Sequence, residues 1–366
     1  MALILDMTSP VGAYGTRLLV ELGHEVVRIE SPKGDALRKM PPNLGAADDL
    51  DAGAFHEFLN AGKKSLALDL TNEKARVALL ALVRKADALV ASLPLAIEES
   101  ALLAANPELL LVKLDDGPPE ICSYASSGLL TITGEPDVAP VMMGGHIPYS
   151  AVGLYLALAS AGALFAKQTS GKGQVVEVSA PQALAALGEQ IWIEYASGGE
   201  ALERRGSRGG ITALAGALPC ADGHWMVSVP PNKEGWANFV EMVPDPTFKD
   251  DHALADEANR RGRKDEILDR IGLWSQHQKK DEIVIEAQRR HIPAAPVTTT
   301  LDLVNDPQLV ARGYLRDMEH PRFGKVKFPV GAVANILGGE PRPAPRLGQD
   351  NEAILSQLGI KAGEVR

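Results

Sequence analysis

Residues Leu3 to Glu30 read LILDMTSPVGAYGTRLLVELGHEVVRIE, and this stretch decides the fold class. A short apolar run covers Ala2–Met7, helical spacing follows over Thr16–Leu22, and a β-branched run fills Glu25–Glu30. The order is strand, loop, helix, strand, the unit from which parallel sheets are built. Gly12-Ala13-Tyr14-Gly15 follows the first strand and opens the helix, where backbone N–H groups can face a phosphate. Its spacing is not GxGxxG and Glu30 alone does not complete a dinucleotide site, so the quartet reads as a tight strand-to-helix turn.

The alternation continues outward. Strands are expected at Ser65–Leu70, Ala88–Ser92 and Leu109–Leu114, with a helix over Asn72–Lys85. A long, mostly apolar helix over Ser150–Gln168 ends at the turn Ser170-Gly171-Lys172-Gly173, and a strand over Gln174–Ser179 and a helix over Pro181–Ala196 follow. Together these make a Rossmann-like α/β half. Beyond Gly198 the chain loosens over Gly199–Gly216. A strand at His224–Val229 and polar helices near Trp236–Met242, Arg263–Trp274 and Asp281–Arg290 then read as a second, smaller domain. Pro341, Pro343 and Pro345 make an extended arm near the end, expected to wrap a neighbouring chain.

Composition narrows the class. With 45% hydrophobic and 23% charged residues, the 366-residue chain reads as an ordinary soluble enzyme. A formal net charge of -10 gives no electrostatic reason to bind nucleic acid or an anionic membrane. The start, MALILDMTSP, has no basic leader, and the apolar stretch Ala151–Ala166 reads as too short to span a bilayer, so a cytoplasmic location is expected. Cys122 and Cys220 form no close pair, and the eight histidines show no HExxH, so neither a disulfide framework nor a metal is expected. There is no GxSxG elbow and no Walker loop. Pattern alone stops at an α/β enzyme of unread chemistry.

Several stretches carry more. Gly34-Asp35-Ala36-Leu37-Arg38 follows the opening unit, and then comes Asn60-Ala61-Gly62-Lys63-Lys64-Ser65-Leu66-Ala67-Leu68-Asp69-Leu70. Asn106-Pro107-Glu108-Leu109 and Ser126-Ser127-Gly128-Leu129 lead to Thr169-Ser170-Gly171-Lys172-Gly173-Gln174-Val175-Val176-Glu177-Val178-Ser179. His291-Ile292-Pro293-Ala294-Ala295-Pro296-Val297, Asp306-Pro307-Gln308 and Ala344-Pro345-Arg346-Leu347-Gly348 come last. In this order the stretches resemble the class III CoA-transferases, the formyl-CoA transferase and carnitine CoA-transferase group, over nearly the whole chain. The resemblance implies a substrate pair of acyl-CoA and carboxylic acid, with coenzyme A as the group moved. It also implies a large domain built from both chain ends and a small α+β domain, in two chains threaded as linked rings. The corresponding division is 1–198 for the first part of the large domain, 199–310 for the small domain with its connecting segments, and 311–366 for the return and the arm. Arg38, Lys64 and Leu68 stand at positions similar to the family's CoA-contacting region.

The chemistry of the family departs here. Its nucleophile is an aspartate four residues before a helix glycine, which attacks an acyl-CoA to give an anhydride and then an enzyme-CoA thioester. With Gly153 as that glycine, the position holds Tyr149, and a phenol of reference pKa about 10 is not a carboxylate substitute. The position similar to the second carboxylate of related racemases is Glu120, and the histidine expected before it is Pro119. The phosphate-friendly stretch after the fourth strand is replaced by Leu93-Pro94-Leu95-Ala96-Ile97-Glu98-Glu99. Three readings follow. The chain is the non-nucleophilic subunit beside an aspartate-bearing homologue, or an acyl-CoA enzyme of different chemistry using Tyr149, His146 and Glu120, or a binding protein on this scaffold.

Overall fold

The computed structural model describes residues 1–46, 48–199, 201–209, 212–331 and 340–365. Six strands, β1 (Leu3–Met7), β2 (Glu25–Glu30), β3 (Lys64–Ala67), β4 (Ala88–Ser92), β5 (Leu110–Asp115) and β6 (Gln174–Ser179), form one sheet. Its order is β3-β2-β1-β4-β5-β6 and every neighbouring pair is parallel. The order reverses between β1 and β4, so the crevice of this α/β fold opens at the carboxyl ends of those two strands. β3 is shorter than its apolar run: Leu68 has left the strand, although its N–H still donates to the Glu30 carbonyl at 2.8 Å.

The helices are α1 (Ala13–Glu21), α2 (Ala54–Leu59), α3 (Glu73–Val83), α4 (Glu99–Ala105), α5 (Glu120–Ser126), α6 (Ile147–Ser170), α7 (Ala180–Leu187) and α8 (Glu189–Gly198). The helix expected over Pro181–Ala196 is two helices that part at Gly188, whose N–H turns back to the Ala185 carbonyl. Both sheet faces are covered. Leu5, Val27, Leu66 and Leu111 pack with α3 residues Leu79 and Leu82 on one side. Ile4, Val26, Val90 and Val112 pack with Leu19, Val152 and Leu156 of α1 and α6 on the other. Burial on two faces is why these strands read as continuous apolar runs rather than alternations.

α1 and α6 cross at backbone contact. A Cβ on Gly15 would lie 2.6 Å from the Gly153 carbonyl oxygen, and one on Gly153 would lie 2.8 Å from the Gly15 nitrogen. This glycine pair brings the head of α6 down to the loop after β1. α6 ends at Gly171, which takes a left-handed φ of 66°. At 24 residues the helix is long and apolar enough to cross a membrane by length and composition, contrary to the estimate from Ala151–Ala166. Its Val152, Leu156, Ala163 and Leu164 lie in the core just described, as expected of the central helix of a packed domain.

The chain divides into two compact units. The first comprises Met1–Leu130, Met142–Glu200 and Pro307–Arg366, and includes an antiparallel hairpin of β10 (Leu315–His320) and β11 (Gly324–Pro329). The second comprises Thr131–Val141 and Ala201–Asp306. It has an antiparallel sheet of β7 (Ala215–Cys220), β8 (Gly223–Ser228) and β9 (Ala294–Pro296). Trp225, Phe239, Ile267 and Leu268 are the centre of its core. Thr131–Val141, expected within 1–198, belongs to the second unit because the Arg204 guanidinium donates to the carbonyls of Thr131, Glu135, Pro136 and Val138.

The proline-rich arm is seated on its own first unit. The Pro343 carbonyl accepts from Gly62 N–H, and the Pro345 carbonyl accepts from Arg38 Nη2 at 3.3 Å and His56 Nε2 at 3.1 Å. Ala344 N–H donates to Glu57, Leu347 N–H to Asp51 and Gly348 N–H to the Ser65 hydroxyl. Asn351 then pairs with both backbone groups of Ala67. The prolines contribute no donors, so their carbonyls do the docking.

Candidate active site

The site is built on a buried charge network that joins the carboxyl halves of β1 and β2 to the start of β3. Asp6 accepts from Thr8 N–H, the Thr8 and Thr16 hydroxyls, Arg28 and Lys63 at 2.7 to 3.0 Å. Burial raises its pKa, but Arg28 and Lys63 together hold it well below the usual carboxylate range. Burial pushes the Lys63 ammonium down to about 8, against the opposing pull of Asp6. Arg28 also grips Asp35 at 2.6 Å, and Asp35 caps the turn that carries Leu37. Arg38 forks onto both Glu30 oxygens at 2.7 Å each and reaches Asp51 at 2.6 Å. The network therefore fixes the loop that presents Leu37 and Met40 to the site.

α6 starts at His146, which occupies the left-handed region with φ 54°. This conformation, uncommon for a residue with a Cβ, places the imidazole between two elements. Its Nδ1 lies 2.7 Å from Glu120 Oε2, at the first position of α5. Its ring stacks parallel to Tyr149 at 5.9 Å and meets Phe55 edge-on at 5.2 Å. With Glu120 as carboxylate, Nδ1 donates and the other ring nitrogen is left as an acceptor. Glu120 Oε1 is buried and has no partner among the described residues. The three residues that the sequence nominated for chemistry are thus one cluster. His146 and Tyr149 border a cavity of about 90 Å³ whose other walls include Tyr14, Met40, Phe55 and Phe58, with Glu120 reached through His146.

Burial pushes the Tyr149 phenol above its ordinary value, the Glu120 charge adds to this, and a hydrogen bond from the Glu120 backbone works against it. Tyr149 is accordingly a neutral hydrogen-bonding group near neutral pH. One carboxylate was missed. Asp116, just past β5, accepts from the Ser92 hydroxyl at 2.7 Å, and Ser92 in turn accepts from Ser9 N–H at 2.9 Å. Burial raises the Asp116 pKa, and its charge reaches Tyr149. The available signal was an acidic pair, Asp115-Asp116, directly after a parallel strand, where such sheets place ligands.

A family model described as CoA-transferase family III matches residues 3–351. The chain belongs to that family. It is 27% identical over 389 residues to succinyl-CoA:mesaconate CoA-transferase of Haloarcula hispanica, covering 99% of this chain and 97% of the relative. It is 29% identical over 405 residues to the succinyl-CoA:(R)-benzylsuccinate CoA-transferase subunit BbsE of Thauera aromatica, covering 99% and 94%. The crystal structure of a CAIB/BAIF family protein from Brucella suis superposes with a TM-score of 0.85 over 98% of both chains at 21% identity, which is a likeness of fold.

For a CoA-transferase family III chain, the residues expected to meet CoA are placed unevenly. Arg38 is buried, with its guanidinium on Glu30, Asp51 and the Pro345 carbonyl. Leu68 is also buried, with its side chain in the core beside Leu66 and Leu79. Lys64 alone is exposed, paired with Glu25 at 2.6 Å on the surface. The segment Leu93–Glu99 is no open loop: Ile97 is in the core and Glu99 pairs with Lys113 at 2.9 Å. Among the described residues, no cluster of three or more His, Cys, Asp or Glu is arranged to hold a metal.

Proposed function

We propose that this chain is the non-nucleophilic subunit of a CoA-transferase, holding an acyl group while an aspartate-bearing homologous chain forms the covalent intermediates. The observation that carries the reading is the head of α6. There the phenol of Tyr149, which the sequence resemblance sets at the family's nucleophile position, stacks on His146, and the adjacent carboxylate, Glu120, is turned onto His146. The likeness to a chain named as a subunit supports it. In the transfer, the partner's carboxylate attacks the thioester carbonyl carbon and expels the CoA thiolate, giving a mixed anhydride. The thiolate then attacks the aspartyl carbonyl, releasing the first acid and leaving an enzyme-CoA thioester. Attack by the second acid's carboxylate and return of the thiolate to the new acyl carbon complete the exchange and restore the aspartate. Lys64, exposed at the start of β3, is the remaining candidate for a CoA phosphate among the three residues the resemblance nominated.

In this reading the two compact units serve as large and small domains of a cytoplasmic enzyme, and the chains assemble as linked rings. Leu158 and Phe165 on α6 and Trp192, Ile193 and Tyr195 on α8 are exposed and supply apolar surface for that assembly. Co-expression with an aspartate-bearing family III chain tests the proposal. Transfer from an acyl-CoA to a carboxylic acid is expected from the pair and not from either chain alone. Full transfer by this chain in isolation, or a folded monomer in sedimentation at micromolar concentration, would overturn it.

The 2.7 Å contact between His146 and Glu120 favours a second reading, acid-base chemistry on an acyl-CoA by this chain alone. The free imidazole nitrogen would take the proton, with Glu120 orienting the ring. Deuterium uptake from heavy water at the acyl α-carbon, catalysed by the isolated chain and lost in His146→Phe, would select this reading over the first.

A further inference from the structure

The cavity at Tyr149 carries information about the acyl group itself. Its volume is about 90 Å³. An apolar cavity of ~150 Å³ holds benzene, so by proportion this one takes about four non-hydrogen atoms. Its walls are mostly aromatic and aliphatic, with His146 and Ser150 as polar members, and no lysine or arginine lines it among the described residues. The cations nearest in the fold are already committed. Arg17 lies 3.8 Å over the outer face of the Phe58 ring, tied to Glu21 and to the Phe58 and Pro329 carbonyls. Lys63 is enclosed by Asp6, Thr16 and Asn60, and Arg38 is forked onto Glu30. The charged groups that do act on Tyr149 are both acidic, Glu120 and Asp116. Glu120 presents a buried oxygen with no partner among the described residues.

From these observations we infer that the cavity accepts the tail of a short, uncharged aliphatic acyl group, of propanoyl or branched butanoyl size, and rejects an acyl group bearing a second carboxylate. This rests on the reading of the site as an acyl-CoA site. A distal carboxylate placed among Tyr14, Phe55 and Phe58 would lose its water and meet no lysine or arginine among the described residues, and His146, the imidazole in the wall, already has Nδ1 on Glu120. The like charge of Glu120, behind His146, would also oppose it. An apolar tail loses nothing on entering and removes the surface of four aromatic rings from water.

Calorimetric titration of the purified full chain with CoA, propanoyl-CoA, 2-methylpropanoyl-CoA and succinyl-CoA tests this directly. The two uncharged acyl-CoAs are expected to bind at least about tenfold more tightly than succinyl-CoA, a difference of about 1.4 kcal/mol. Met40, half-exposed at the cavity wall, gives the complementary test. Met40→Arg should bring succinyl-CoA level with or ahead of 2-methylpropanoyl-CoA, and Met40→Gln should leave the order unchanged. Succinyl-CoA binding as tightly as the uncharged esters in the unmodified chain overturns the inference alone, as does identical affinity for all four ligands. Absence of binding by every acyl-CoA overturns the acyl-CoA reading of the site together with the inference. The comparison in the unmodified chain decides the matter even if the arginine variant fails to fold.

Discussion

Arg38→Met separates a structural arginine from a phosphate-binding one. The methionine fills similar space but removes two 2.7 Å contacts to Glu30, the 2.6 Å contact to Asp51 and the 3.3 Å contact to the Pro345 carbonyl. Glu30 is left buried with the Ser65 hydroxyl at 3.0 Å and Asp35 N–H at 3.3 Å as donors. Removing one member of a buried pair and stranding the other costs about 3–5 kcal/mol. Three of the four tryptophans, Trp225, Trp236 and Trp274, lie in the second unit, so fluorescence would report the wrong region. Hydrogen exchange on peptides covering Glu25–Glu30 and Lys64–Ala67 reads the right one, and their amides should exchange about two to four decades faster. Adding Glu30→Gln should recover much of the loss, because it neutralises the stranded charge. A change below tenfold in exchange, combined with a tenfold or greater loss of CoA affinity, would refute this account and return Arg38 to the ligand.

Gly153→Ala should destabilise the first unit by about 1–3 kcal/mol through the contact with Gly15, while Gly162→Ala in the same helix, with open space around it, should stabilise by about 0.5–1 kcal/mol; parallel thermal melts check both. His56 is held neutral, pushed down to about 4 chiefly by burial with the Arg38 charge adding, and donates from Nε2 to the Pro345 carbonyl. Since the folded value lies below the unfolded one, the unfolded chain binds more protons between about pH 6.5 and 4. Stability should therefore be present above pH 6.5 and fall by about 3 kcal/mol as pH drops through that window, with His56→Gln flattening the profile in urea titrations followed by exchange. The isolated chain incubated with acyl-CoA should show no covalent adduct by intact mass after hydroxylamine or borohydride trapping, and an adduct on Glu120 or any other carboxylate would contradict the assignment of Tyr149 as a non-nucleophile.

The parallel sheet was legible because its strands are apolar on both faces and separated by segments with helical period, so Leu3–Glu30 alone announced the topology. The cluster of His146, Glu120 and Tyr149 was legible through motif positions, which registered Tyr149 against Gly153 and Glu120 against the racemase carboxylate. The fate of Arg38 was not. Its partner Glu30 sits eight residues earlier on a different element, and whether the guanidinium turns inward to it or outward to a ligand depends on how the Asp35–Met40 turn folds back over β2. The same holds for Thr131–Val141, which a distant stretch, Arg204 with Gly206 and Ser207, ties to the second unit, and for Asp116, whose proximity to Tyr149 exists only once β5 lies beside β4.

Ile354, Leu355 and Val365 belong to the same core as Leu5, Leu66 and Leu79, and Asn351 closes the open side of β3 by bonding Ala67 at both backbone groups. A ribosome that has released the first two hundred residues has delivered all six strands but not the cover for the strip beside β3. At roughly 5–20 residues per second, translating the next ~150 residues takes roughly 8 to 30 s, during which that apolar strip faces the solvent. The amino-terminal half of this protein is therefore completed only once residues 351–365 have been made, and its yield in a cell depends on what shields the nascent sheet until then.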